Sequence, residues 1–291
     1  MRPSESLSIA CLAALAALSF AATPAAPGAA AGYAVLIAAV WSIARRLPPG
    51  TFVRDWFPVV TIVAAFTLME PVITGVHPRL YDAALAGIDD RYLAGLVRAW
   101  REAFGRPDLF TDAAYVLYVS YYFVPLTAVG LARRRGPEET ERVTFTVLLA
   151  FWGSYVGYFL VPAAGPRIPY AEEAAVLGGG AVSDGVRWFL HVAEKTRLDA
   201  FPSGHTAISL VAGALAIRLA PRLGPAIAAW VVAVIFTTVY IHVHYAIDVV
   251  AGVGLAAGAL LAAAPASRTV AAAQARLSRR LAGTPRRAAG A

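Results

Sequence analysis

Two stretches place reactive side chains at the edges of apolar runs: "DAFPSGHTAISL" at 199–210 and "YIHVHYAIDVVAG" at 240–252. In the second, His244 and Asp248 stand four residues apart, which on a helix puts them on one face. A carboxylate there accepts the imidazole Nδ1–H, fixes the tautomer and leaves Nε2 free as a nucleophile. The plainer reading is a structural His–Asp hydrogen bond that ties down a helix end. In the first stretch Pro202 suits a first helical turn. Ser203 and Gly204 follow, where a capping hydroxyl and unpaired N–H groups make an anion site. His205 can give a proton to a leaving oxygen. The plainer roles are a cap serine and a surface histidine. Arg167, closing "YFLVPAAGPR", is a permanent cation that either holds phosphate in a fork or snorkels to the interface. Together these residues supply a nucleophile, its orienter, an acid, a helix-end anion site and a cation. Those are the parts of a phosphoryl transfer that needs neither metal nor cofactor. His242 points away from His244 on a helix and reads as packing or support; His77 and His191 have no partner at useful spacing.

These residues are far apart in the chain, so other elements must gather them. Of the 291 residues, 59% are hydrophobic and only 15% charged, against about 45–50% and about 25% in soluble domains. The mean hydropathy is +0.63. This is the balance of an integral membrane protein. A single cysteine, Cys11, forms no internal disulfide. Eight apolar runs can span a hydrocarbon core about 30 Å thick: about 6–23, 29–44, 56–75, 112–132, 143–163, 203–219, 224–242 and 244–264. The first also fits a signal peptide, with Arg2, a short apolar stretch and the small residues "FAATPAAPGAAA". The expectation is an all-α polytopic transmembrane helical bundle. It has one or two extra spans in 1–55, a six-helix catalytic core over 56–264 and a basic tail over 265–291.

If successive spans alternate sides, 16 of the 25 basic residues fall on the side holding the N-terminus, the 45–55 and 133–142 loops, the 220–223 turn and the tail. Cytoplasmic loops carry that excess, so this side is the cytoplasm. The Arg-rich tail then meets anionic headgroups rather than nucleic acid. The same alternation sends the end of the fifth span, the start of the sixth and the junction of the last two to the opposite face. Arg167, Ser203, His205, His244 and Asp248 meet there, and ionisable groups at spans are costly and usually functional. In the long 76–111 segment Leu85, Ile88, Tyr92, Leu96 and Trp100 recur at helical spacing. That pattern fits an amphipathic helix on the membrane surface or a helix capping the bundle. The acids Asp82, Asp89 and Asp90 belong to this loop, apart from the site. The 164–202 loop is broken by "GGG" at 178–180.

With Pro202–His205 as P-S-G-H and His244–Asp248 as H-x-x-x-D, the chain resembles the type-2 phosphatidic acid phosphatase superfamily over roughly 56–264. The resemblance implies that His244 attacks phosphorus, Asp248 orients it, His205 protonates the leaving group and Ser203 helps hold the phosphate. The family's K-x-x-x-x-x-x-R-P signature is absent, and Thr237 and Thr238 stand where an S-R pair precedes the histidine. "YFLVPAAGPR", Tyr245 and "RLYDAALAGIDDRYLAG" are similar to the branch containing inositol phosphorylceramide synthase. Arg167 is the expected replacement for the missing cations, with Ser203 and Gly204 beside it in substrate binding. The expected protein is a metal-independent lipid phosphatase or phosphotransferase, inositolphosphotransferase-like. It acts through a phosphohistidine on a lipid phosphate or phospholipid, in a bacterial-type inner or plasma membrane, with its site facing the periplasm or exterior. The residues alone also admit a metal- or haem-binding membrane protein using His205, His242, His244 and Asp248, or a non-catalytic lipid carrier.

Overall fold

The computed structural model describes residues 1–22, 26–93, 107–167, 178–193 and 195–282, together with 95, 99 and 103. Among them every regular element is helical. In chain order they are α1 (Pro3–Ala21), α2 (Ala29–Arg46), α3 (Phe52–Thr67), α4 (Glu70–Val76), α5 (Asp82–Ile88, continued by a π turn at Asp89–Leu93), α6 (Asp108–Val119), α7 (Phe123–Arg133), α8 (Pro137–Leu160), α9 (Ala181–Ala193), α10 (Gly204–Leu219), α11 (Gly224–Tyr240) and α12 (Ala246–Ala282). The chain is thus an all-α bundle.

Five segments are long and apolar enough to cross a membrane: α1, α6 with α7 (Asp108–Arg133), α8, Pro221–Tyr240 and α12. The pair α3 and α4, bent by 45°, makes a sixth. Every apolar run expected to span does form helix, but two fall short on different grounds. Helix α2 carries Arg45 and Arg46 in its last turn. Helix α10 has 16 residues, about 24 Å of helix at 1.5 Å per residue. It is short because it is not a lipid-facing span: α7, α8, α11 and α12 all pack on it, and Ala207, Val211, Ala212 and Ala216 are buried. Helix α12 runs 37 residues. It passes the expected end at 264, so the first part of the basic tail continues the helix; 283–291 lie outside the described residues.

The two ends of the bundle differ in chemistry. At one end Arg2 pairs with Asp55 at 2.8 Å, Arg133 with Asp55 at 3.4 Å and Arg54 with Glu5 at 2.7 Å. Glu141 accepts from the Ser4 amide and hydroxyl at 2.8 and 2.6 Å. These groups are mostly buried, and paired burial is how ions are tolerated away from water. They fasten the start of α1 to α3, α7 and α8, and Leu12 and Leu15 of α1 pack with Tyr33, Leu148 and Trp152. At the other end the close of α8, the starts of α10 and α12 and the end of α11 converge. Backbone bonds link them: Ser203 N–H donates to Asp248 O, and Ala200 N–H to Ala163 O, both at 3.0 Å.

Helix α5 covers this second end. Leu85 and Ala86 are buried with Ala163, Ala200 and Tyr245, which favours the capping alternative. Ile88 and Tyr92 remain exposed; Leu96 and Trp100 lie outside the described residues.

Candidate active site

The histidines meet. His205 Nδ1 lies 3.1 Å from His244 Nε2, although 39 residues separate them. His244 Nδ1 lies 2.9 Å from the Ala200 carbonyl oxygen and 3.4 Å from Asp248 Oδ2. A carbonyl oxygen only accepts, so His244 Nδ1 carries a proton, and in the neutral imidazole Nε2 is then the lone-pair nitrogen. In that tautomer His205 Nδ1–H donates to the lone pair. The Ala200 carbonyl is the closer of the two orienting acceptors, and sequence reasoning did not find it because a main-chain oxygen carries no side-chain signature.

His244 and Asp248 come together differently from the expected shared helix face. Helix α12 starts at Ala246, so His244 lies in the turn before it. His242, at φ 59°, reverses the chain there, and the Val243 and His244 amides both donate to Thr238 O at 3.0 Å. Histidine is among the residues that enter this left-handed region more readily than most. Asp248 then reaches back to accept the Tyr245 amide at 2.9 Å, one half of a capping box. The same Oδ2 serves the helix cap and faces His244, so the structural and orienting roles coincide. Asp248 is fully buried, and its Oδ1 has no hydrogen-bond partner among the described residues.

Ser203 is the N-cap of α10. Its Oγ accepts from the Thr206 amide at 3.2 Å and the Thr206 hydroxyl at 3.0 Å. The first N–H groups of α10, from Gly204 and His205, have no intrahelical acceptor by geometry. His205 lies between Tyr118 and Tyr121, with ring centroids at 4.7 and 4.4 Å. These tyrosines were missed; the repeat of Tyr115, Tyr118 and Tyr121 in α6 and the turn after it was the available signal. Gly252 explains the "DVVAG" continuation: a Cβ there would stand 2.7 Å from the Ser203 carbonyl oxygen, so the α10 start and α12 can close only over a glycine.

Arg167 is present at this end but engaged. Its Nε donates to Ala164 O at 2.6 Å, and one terminal nitrogen reaches Arg197 O at 3.1 Å and Asp199 Oδ1 at 3.3 Å. The side chain is 33% exposed, so it sits at the mouth, beside Asp199, rather than in the buried histidine pair.

Asp82 and Asp89 of the 76–93 segment are not apart from the site, whereas Asp90 is exposed. Asp82 accepts the Ala164 amide at 3.1 Å, the Gly165 amide at 2.8 Å and the Tyr245 hydroxyl at 3.2 Å. Asp89 accepts the Ala246 and Ile247 amides at 2.7 and 2.9 Å, the first two of α12. One carboxylate therefore holds the loop leading to Arg167, and the other caps the helix that carries Asp248. Burial pushes the Asp89 carboxyl above its usual range, the two amides offset that in part, and neighbouring Asp90 adds to it. Among the described residues no three His, Cys, Asp or Glu side chains form a candidate metal set.

An apolar cleft of about 360 Å³ opens from His205, Gly204 and Asp199 and runs between α3, α7 and α8. The family model of the PAP2 superfamily matches residues 84–262, which includes both histidines, Asp248 and Asp89. Neither a curated protein nor a solved structure matches the chain.

Proposed function

The chain belongs to the PAP2 superfamily, a membership that suggests a lipid phosphatase-type function, and we propose that it transfers phosphoryl groups through a phosphohistidine at His244. The observation that carries this reading is the 3.1 Å contact between His205 Nδ1 and a His244 Nε2 whose proton is fixed on the far nitrogen. A phosphate entering between the rings replaces that contact. Nε2 attacks phosphorus, the bond to the leaving oxygen breaks, and the His205 Nδ1 proton goes to that oxygen. Water or a lipid hydroxyl then attacks phosphorus, its O–H proton passes to His205 Nδ1, and the phosphorus–nitrogen bond breaks to release His244. Asp248 and the Ala200 carbonyl stabilise the imidazolium-like charge on His244. The amide groups at the start of α10 and the Arg167 guanidinium face the equatorial oxygens, with Asp199 sharing Arg167 at rest.

The finer reading is an inositolphosphotransferase-like enzyme, supported by the Arg167 stretch and the α5 segment that is similar to that branch. The acceptor separates hydrolysis from transfer: phosphatidate in water gives free phosphate, whereas a phosphoinositide donor with a lipid alcohol gives a new phospholipid. The site is proposed to face the periplasm or cell exterior. The decisive experiment is trapping of a base-stable, acid-labile phosphoenzyme from labelled lipid phosphate in excess EDTA. Wild type should label and His244→Gln should not, with turnover below a few per cent. Retained turnover in His244→Gln, or loss of wild-type turnover to EDTA with rescue by Mg²⁺ or Zn²⁺, overturns the reading.

A further inference from the structure

The apolar cleft is continuous with the histidine pair, because His205 and Gly204 form its upper wall. Its sides are Ile62 and Phe66 of α3, Leu126 and Val129 of α7, and Leu148 and Phe151 of α8. Its upper end lies at Tyr158 and its floor at Thr144 and Asp55. Along α8 the apolar stretch from Tyr158 down to Leu148 is about 15 Å at 1.5 Å per residue. Half of a bilayer core is also about 15 Å. Below Leu148 the wall turns polar. The Thr144 hydroxyl is buried and has no partner among the described residues. Asp55 is ion-paired with Arg2 and Arg133, and its side chain is 1% exposed. An apolar chain cannot go further without stripping paired charges of their partners, which is strongly unfavourable. The cleft is open along one side, where Val59 and Val63 are exposed, so a lipid can enter from the bilayer.

We propose that this cleft holds one acyl-length hydrocarbon chain of the lipid phosphate, with the floor of Thr144 and the ion-paired Asp55 setting its limit. The proposal rests on the reading of His244 and His205 as the phosphoryl-transfer pair. The preferred lipid carries chains of about one leaflet in length. A much longer polyprenyl chain must leave through the open side and loses the lower contacts.

The test uses the full chain in phospholipid nanodiscs with two alkyl phosphates, one carrying a diazirine at mid-chain and one at the terminal carbon. Mid-chain labelling should fall on Phe151 and its neighbours on α3, terminal labelling near Leu148 and Val129. Labels spread over the outer faces of α1, α2 and α12 regardless of diazirine position overturn the proposal. A second measurement compares kcat/KM for long and short alkyl phosphates. Leu148→Trp should lower the long-to-short ratio by about tenfold or more; an unchanged ratio overturns the length limit. The two readings fail separately. Cross-linking maps the chain even if the phosphate is not turned over, and turnover without chain-position dependence defeats only the cleft.

Discussion

Asp89 is the most informative residue to perturb, because it touches no reacting group and yet holds the helix that does. Its two carboxylate oxygens each accept one amide, from Ala246 and Ile247, at the first turn of α12. Those amides have no intrahelical acceptor. Removing a cap costs about 1 kcal/mol and leaving a buried donor unsatisfied about 1–3 kcal/mol. Asp89→Ala is therefore expected to destabilise the protein by about 2–4 kcal/mol. Asp89→Asn keeps one oxygen acceptor and turns an NH₂ toward the other donor, so it should fall between. The start of α12 carries Asp248, and the turn before it carries His244. A displacement of about 1 Å at a reacting group can cost about a hundredfold in rate. Well below the thermal midpoint, Asp89→Ala should lower kcat by about 10–100-fold with a much smaller change in KM. The pH dependence has a definite sign. The folded-state carboxyl is raised above its ordinary 3.8, first by burial, so the folded protein binds the extra proton and stability falls as pH rises through that raised value. Asp89→Asn cannot ionise and should flatten this segment of a plot of thermal midpoint against pH. An Asp89→Ala protein with wild-type midpoint and kcat, or an Asn variant with the full wild-type pH slope, would refute the capping argument.

Other outcomes follow from the site geometry. His205→Ala should lose about 10²–10⁴-fold on alkyl phosphates but much less on a nitrophenyl phosphate, whose leaving group needs no proton; equal losses reject His205 as the acid. Arg167→Ala should cost about tenfold or more in kcat/KM, near 1.4 kcal/mol. Because Asp199 is its partner at 3.3 Å, Asp199→Asn should change the rate in the opposite direction or leave it alone; a rate loss in the Asp199 variant as large as that of Arg167→Ala points to a structural pair instead. Gly185 has open space around it, so Gly185→Cys in a Cys11→Ser background should react with an impermeant thiol reagent from outside the membrane. Labelling only after lysis inverts the proposed topology.

The parts of the site that were legible in the sequence are those whose meaning is local. P-S-G-H and H-x-x-x-D fix a helix start and a turn within a few residues, and hydropathy alone finds the helices that face lipid. The run at 203–219 was expected to span, yet helix α10 has only 16 residues, and its neighbours are other helices. The orienting carbonyl of Ala200 and the tyrosines around His205 depend on which segments pack together. Asp82 and Asp89 show the same limit. Their spacing of seven residues puts them on one helical face with Leu85 and Ala86, a pattern that amphipathicity explains equally well as a surface helix. Only the packed structure shows that the polar members of that face point at unpaired amides of other segments.

The ion pairs at the far end bear on orientation as well as on the cleft. Arg2, Arg54 and Arg133 were counted among the basic residues of one membrane side, yet each is paired with Asp55 or Glu5. The positive-inside bias is a Lys/Arg bias rather than a net-charge rule, and acidic residues contribute little to it. The pairing therefore leaves the inference standing, while changing what those three arginines do in the folded protein. They tie together the helices at that end of the bundle, and the apolar cleft ends at Asp55, which Arg2 and Arg133 hold. Charges that sequence reasoning assigned to topology thus stand just beyond the Asp55 end of the cleft, as His205 stands at its other end.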